Sequence, residues 1–357
     1  MTTHQPLTGL TNSELRELVV SLGEKEYRGT QLFGWIHDKG AASFSDMSDI
    51  SLEFREILLR NSSLRTMEIV GDAVSTDGTR KFALKLSDGH IIESVLIPAV
   101  KEDDRLTLCV STQVGCPLDC RFCATGTMGF TRNLNAGEIV EQFLVARHYA
   151  PRRISNIVYM GMGEPMLNYE EVLKSTEIFM DTHGAGIGAK HITISTAGYA
   201  DKIRRMADEG RKVRLALSLH SLDPVTRTRL MPVTKKFSIE DLSAALQYYY
   251  EKTRQRPTIE YILFDGVNDT TRDTDLLIRF SRRVPCKINL IPFHSISFTG
   301  PSGFASSLRP SSRDRIEWFA GKLRDAFVTV IVRSSSGVDI NAACGQLAAT
   351  VGVQSPR

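Results

Sequence analysis

From about Leu10 to Ser63, apolar residues recur at helical intervals. Thr11-Asn12-Ser13-Glu14 supplies helix caps ahead of Leu15, Leu18, Val19 and Leu22, and Phe33, Trp35 and Ile36 form a further apolar face. This predicts a small helical domain over residues 1–65. Over 66–105 the period shortens to two. Lys81-Phe-Ala-Leu-Lys-Leu alternates, Ser87-Asp88-Gly89 is a turn, and Ile91 to Ile97 is a second strand, so a β-hairpin should lead into the main domain.

From Leu106 to about Pro292 short apolar runs alternate with helical stretches. The strands expected are Thr107–Ser111, Ile157–Met160, His191–Thr196, Leu215–Ser218, Thr258–Ile262 and Lys287–Ile291; helices are expected at Ala136–His148, Tyr169–Met180 and Ile239–Lys252. Such alternation implies an α/β fold with a parallel sheet covered by helices. Six strands fall short of an eightfold barrel, so 106–295 should form a partial (β/α)6-type barrel with its site at the C-terminal strand ends. Ser295–Ser312, rich in Ser, Gly and Pro, reads as a loop. A helix (Arg313–Phe327), a strand (Val328–Arg333) and a loop carrying Cys344 complete a C-terminal extension over 296–352, and 353–357 should be a disordered tail.

Composition adds limits. With 357 residues, 42% hydrophobic and 24% charged, the chain can bury a large core, and a net charge of +3 says little about partners. Between Asp201 and Lys236, ten basic residues stand against four acidic ones, which suits either solvated helix faces or a phosphate-contacting surface. Neither a signal peptide nor an apolar run of membrane-spanning length is expected, which points to the cytoplasm. Thiols stay reduced there, and six cysteines read as ligands or catalysts rather than disulfide partners.

Three of them lie in a loop directly after a predicted strand, spaced Cys116-x3-Cys120-x2-Cys123. A zinc site would need a fourth ligand from elsewhere. Three thiolates alone match a [4Fe–4S] cluster with one iron left open. Gly161, Gly163 and Glu164 follow the strand ending at Met160, where glycines permit close backbone approach and a carboxylate can accept from an ammonium; a turn capped by Glu164 accounts for them too. Ser195, and Ser218-Leu219-His220, end later strands as helix caps or ligand contacts.

The cysteine spacing, with Phe122 before the last cysteine, resembles the signature of the radical S-adenosylmethionine (SAM) superfamily. Five blocks in order are similar to the RlmN/Cfr family of RNA methyltransferases: Leu108-Cys-Val-Ser-Thr-Gln-Val-Gly-Cys116, Gly129-Phe-Thr-Arg-Asn-Leu134, Met160-Gly-Met-Gly-Glu-Pro165, Leu217-Ser-Leu-His220 and Ala342-Ala-Cys-Gly-Gln-Leu347. The resemblance implies a radical SAM barrel whose Cys116, Cys120 and Cys123 hold the cluster. Gly163, Glu164, Ser195, Ser218, Leu219, His220 and His294 would contact SAM, with His294 standing where the family usually has Asn.

It further implies that Cys344 and Cys109 are catalytic. Cys344 would take a methyl group from one SAM, a radical from a second SAM would activate that methyl, and the carbon radical would add to adenine. Cys109 would then release the product from a protein–RNA adduct through a transient disulfide. Glu93 would accept the proton, although it lies three residues further from Cys109 than in the family pattern. Cys286 would be structural. The implied substrates are C2 of adenosine in 23S rRNA and tRNA, and the electron donor a flavodoxin or ferredoxin; a monomer that needs no membrane is expected. The family's Cfr branch methylates adenine C8 with the same parts, but Cys286-Lys-Ile-Asn-Leu-Ile-Pro and the long helical N-terminal region look like the RlmN branch. The helical domain and the Asp201–Lys236 stretch, Arg211, Lys212 and Arg214 in particular, should grip RNA.

Overall fold

The computed structural model describes residues 5–99 and 105–349; the tail expected at 353–357 lies outside these. Three α-helices, Asn12–Ser21, Tyr27–Gly34 and Leu52–Asn61, build the N-terminal domain. The first begins at a capping box in which Thr11 and Glu14 bond each other's backbone, as the Thr-x-x-Glu pattern requires. Leu15, Val19, Leu32, Phe33, Phe54 and Leu58 close its core.

Ten strands follow in one sheet, and their spatial order is their chain order. They are β1 (Glu68–Val74), β2 (Arg80–Lys85), β3 (Ile91–Pro98), β4 (Leu106–Cys109), β5 (Asn156–Tyr159), β6 (Ile192–Thr196), β7 (Arg214–Ser218), β8 (Thr258–Leu263), β9 (Lys287–Pro292) and β10 (Val330–Val332). Strands β4 to β10 pair in parallel, and β1 to β4 pair antiparallel. The expected hairpin is therefore a three-stranded extension continuous with the main sheet, because β3 pairs with β4. Its alternation does not separate a wet face from a dry one: Lys81 and Glu93 are both buried.

Helices occupy each parallel crossover, including Ala136–Tyr149, Tyr169–Met180, Ile239–Thr253 and Thr271–Arg283, and Arg313–Asp325 leads into β10 as a seventh parallel strand. A single cavity touches residues on or just beyond β3 through β10. Laid flat, eight strands would span ~34 Å at the usual inter-strand spacing. One cavity reaching all of them means the sheet curls into a partial barrel.

The N-terminal domain docks on the first barrel helix. Glu141 on that helix accepts from the Thr66 and Met67 N–H groups, and Arg147 donates to the His37 and Asp38 carbonyls. Gly9 packs against Gly137 so closely that a Cβ on Gly9 would stand 2.6 Å from the Gly137 nitrogen.

Candidate active site

The cluster loop is more constrained than an open loop after a strand. Gln113–Gly115 and Phe130–Asn133 form a short antiparallel ladder, and the Cys116 N–H donates to the Gly129 carbonyl at 2.7 Å. Residues 116–129 are thereby closed off as a compact loop. Gly115 has φ +73° and lies against Gly129, so a side chain there would collide with backbone. All three thiols line the cavity. Burial pushes Cys116 up to about 12 and raises Cys120 and Cys123 as well, as removal from water penalises the thiolate. Among the described residues, no three His, Cys, Asp or Glu side chains converge closely enough to hold a single metal ion. Three soft donors around one cavity, with a glycine-lined wall facing them, fit an iron–sulfur cluster with an open corner.

That wall follows β5. Gly161 and Gly163 run against the segment after β4; a Cβ on Gly163, whose φ is +102°, would meet the Gln113 side chain at 2.6 Å. Glu164 is buried, and burial raises it to about 7, partly offset by hydrogen bonds from the Ala197 N–H (2.7 Å), from Thr196 and from the Met166 N–H (3.0 Å). Ser195, Ser218 and His220 also line the cavity at the ends of β6 and β7. His220 takes φ +56°, accepts at Nδ1 from the Ile262 N–H (3.0 Å) and meets Phe122 edge-on at 4.7 Å; burial lowers it to about 3, so it is neutral. Its ring packs directly on the cysteine motif.

Two expected SAM contacts sit differently. Leu219 is fully buried outside the cavity lining, its N–H donating to the Glu260 carbonyl. His294 also lies outside the lining and shares a 2.5 Å hydrogen bond with Ser335, which does line it.

Cys109 at the end of β4 and Cys344 on the C-terminal loop line the same cavity, far apart in sequence. Burial raises both thiols; each one's proximity to other thiols adds to this, while Arg333 pulls Cys344 down. Cys344 is exposed, but the space it faces is the cavity. No cysteine is in a disulfide. The loop around Gly345 is pinned at several points. The Ala124 N–H donates to the Gly345 carbonyl (2.6 Å), the Thr125 hydroxyl to the Leu347 carbonyl (2.6 Å), and Lys81 to the Asn341 carbonyl (3.3 Å). Glu93, expected as the proton acceptor, is fully buried just outside the cavity lining; it accepts from the Ala348 N–H at 2.9 Å and pairs with Lys81 at 3.3 Å. Cys286 is buried outside the cavity.

The basic stretch divides in four: Lys202, Arg204 and Arg205 lie on the helix Ala200–Asp208, where Arg205 pairs with Glu170 and Glu209. Arg227 is fully buried. Arg211, Lys212 and Arg214 lie at the N-terminal end of β7, opposite the end that bears Ser218, and Arg211 pairs with Glu209. This end of the strand cannot meet a base entering the cavity. Arg229, Lys235 and Lys236 follow β7 on the cavity side and are exposed. Sequence reasoning missed Lys81, Arg227 and Arg333, since nothing in a strand's alternation or a run of basic residues tells which cation is buried.

This geometry, with three thiols before a glycine wall at the C-terminal end of a partial parallel barrel, defines a radical SAM protein, and residues 110–278 match the sequence profile of the radical SAM superfamily. Residues 5–64 match that of the ribosomal RNA large subunit methyltransferase N-terminal domain. The chain is 44% identical over 363 residues to the dual-specificity RNA methyltransferase RlmN of Magnetococcus marinus, covering 99% of this chain and 98% of that one. It is 43% identical over 346 residues to the probable dual-specificity RNA methyltransferase RlmN of Christiangramia forsetii, covering 96% of each. A crystal structure of a radical SAM methyltransferase from Sphaerobacter thermophilus superposes with a TM-score of 0.90 at 39% identity, over 97% of this chain and all of that one. The chain belongs to the RlmN family of radical SAM RNA methyltransferases, and its cofactors are a [4Fe–4S] cluster and SAM.

Proposed function

We propose that this protein methylates C2 of adenosine in 23S rRNA and in tRNA, in the cytoplasm, as a monomer drawing electrons from a flavodoxin- or ferredoxin-like donor. The observation that carries the reading is the meeting of Cys109 and Cys344 in the cavity that holds the three cluster thiols. The relatives' description as dual-specificity RNA methyltransferases supports the two substrates.

Cys116, Cys120 and Cys123 would hold the cluster, and Gly163, Glu164, Ser195, Ser218 and His220 the SAM, with Leu219 and His294 shaping that surface from behind. Bound there, these cofactors supply a methyl group and the radical that activates it. Glu164 receives the ammonium of SAM as a carboxylate, because a cation beside it removes the burial penalty that holds it near 7. The thiolate of Cys344 would take the methyl group of SAM as a thioether, its S–C bond forming as the sulfonium S–CH3 bond breaks and S-adenosylhomocysteine leaves. Once the methyl carbon is joined to the base, Glu93 accepts the proton leaving the adenine and Lys81 steadies the carboxylate. Cys109, as thiolate, attacks the Cys344 sulfur; the S–S bond forms as the S–C bond to the RNA breaks, its electron pair stays with the carbon, and that carbon takes up a proton to become the methyl group, leaving methylated RNA and an oxidised cysteine pair. The helical domain over 1–65 grips the RNA, and the target base is flipped into the barrel mouth over 106–295.

Mass spectrometry of nucleosides from RNA treated with reconstituted enzyme tests the position. 2-Methyladenosine is expected in both rRNA and tRNA; 8-methyladenosine alone would overturn C2.

A further inference from the structure

Arg227 is the largest fully buried side chain among the described residues. It comes from the short helix Pro224–Leu230, and every hydrogen bond it makes ends on a neutral oxygen. Nε donates to the Leu219 carbonyl at 3.0 Å and Nη1 to the Thr234 hydroxyl at 2.7 Å. Nη2 donates to the Ala197 and Ser218 carbonyls at 2.7 and 3.2 Å. A buried guanidinium with its donors satisfied but its charge unmatched is costly, since removing an ion from water takes several kcal/mol that only an opposite charge restores. Burial lowers Arg227 to about 10, and Cys120 is the titratable side chain whose proximity works against this. The same helix abuts the cluster loop directly: the Arg121 N–H donates to the Leu230 carbonyl at 2.9 Å, and Met231 lines the cavity beside Cys120.

An iron–sulfur core on three thiolates is negative, and the electron it must accept makes it more so. We infer that Arg227 is the buried counter-charge of the cluster, a fixed cation that favours its one-electron reduction while its fork holds the ends of β6 and β7 in place. This rests on the assignment of Cys116, Cys120 and Cys123 as cluster ligands. The electron comes from the low-potential donor that radical SAM chemistry already requires, and no bond is made or broken. Neutral carbonyl partners suit this role better than a carboxylate, which would cancel the charge.

The test is the midpoint potential of the cluster, followed by electron paramagnetic resonance during redox titration of the full-length protein. Arg227→Gln removes the charge. Thr234→Asp leaves Arg227 and its carbonyl bonds in place but sets a carboxylate beside it. Arg227→Lys keeps the charge and loses the fork. Both neutralising variants should become harder to reduce by a factor of about ten or more, a fall of about 59 mV for one electron, while Arg227→Lys stays near the wild type. Unchanged potentials in loaded Arg227→Gln and Thr234→Asp would overturn the inference. If Arg227→Gln fails to load, Thr234→Asp decides. Cluster loss in both neutralising variants but not in Arg227→Lys supports a need for charge; loss in both Arg227 variants while Thr234→Asp loads with an unchanged potential overturns it in favour of the fork alone, and loss in all three overturns it as well. Wild-type protein without iron and sulfide would instead overturn the ligand assignment beneath it.

Discussion

Burial raises the thiols of Cys109 and Cys344 and so favours their protonated forms, and a nucleophilic role for either requires loss of that proton first. If Cys109 resolves the adduct, Cys109→Ala should leave Cys344 joined to RNA. A slow-migrating species on denaturing gels, sensitive to both ribonuclease and protease, is the expected result. Glu164 gives a second expectation. Its folded value of about 7 lies above its ordinary 4.5, so the SAM-free folded protein holds this proton more tightly than the unfolded chain. That contribution is complete below about 4.5 and lost as pH rises through about 7. The thermal midpoint of SAM-free wild type should fall across this window relative to Glu164→Gln, and saturating SAM should shrink the difference. Residues whose type dictates chemistry, the five cavity cysteines and Glu164, were legible in the sequence. Burial was not: Glu93 and Arg227 look like solvated charges until residues distant in the chain, Ala348 above one and Ala197 beside the other, are seen to cover them.

Among the elements, the helix pair of the N-terminal domain depends on Gly29, where a Cβ would run into the backbone of Arg16. Gly29→Ala should destabilise this domain by about 1–3 kcal/mol, as overpacking does. Calorimetry and RNA-binding titrations should show weaker folding and weaker RNA affinity, with iron content and SAM cleavage retained. The parallel strands were legible to within a residue or two because each carries a short apolar run bounded by helical stretches; Ile157–Met160 was expected and Asn156–Tyr159 is observed. Strand β1 was not, since Gly71 and Asp72 interrupt its pattern and most of it stays partly exposed. The ladder around the cluster loop also escaped, because its strands are short, and the Gln113 and Asn133 side chains bond to each other rather than build an apolar face.

For the whole molecule, the cavity end of the barrel is the face RNA must meet. Reversing Arg229, Lys235 and Lys236 to Glu should lower RNA affinity about tenfold or more in low salt and flatten its dependence on salt, whereas reversing Arg211, Lys212 and Arg214 should change neither. Filter binding across a salt series checks both. The barrel's existence was legible from the alternation of strand and helix, but its union with the hairpin into one continuous sheet was not, since pairing of β3 with β4 leaves no mark in the local sequence. That union, in which every strand lies beside its immediate predecessor, bears on biosynthesis. As the chain is made, each new strand can add to the growing edge without waiting for a distant partner. The segment carrying Cys344 emerges after all ten strands of this sheet and bonds back to Ala124 and Thr125 beside Cys123. Until it arrives the pocket stands uncovered on that side, which leaves Cys116, Cys120 and Cys123 accessible before the Cys344 loop closes over them.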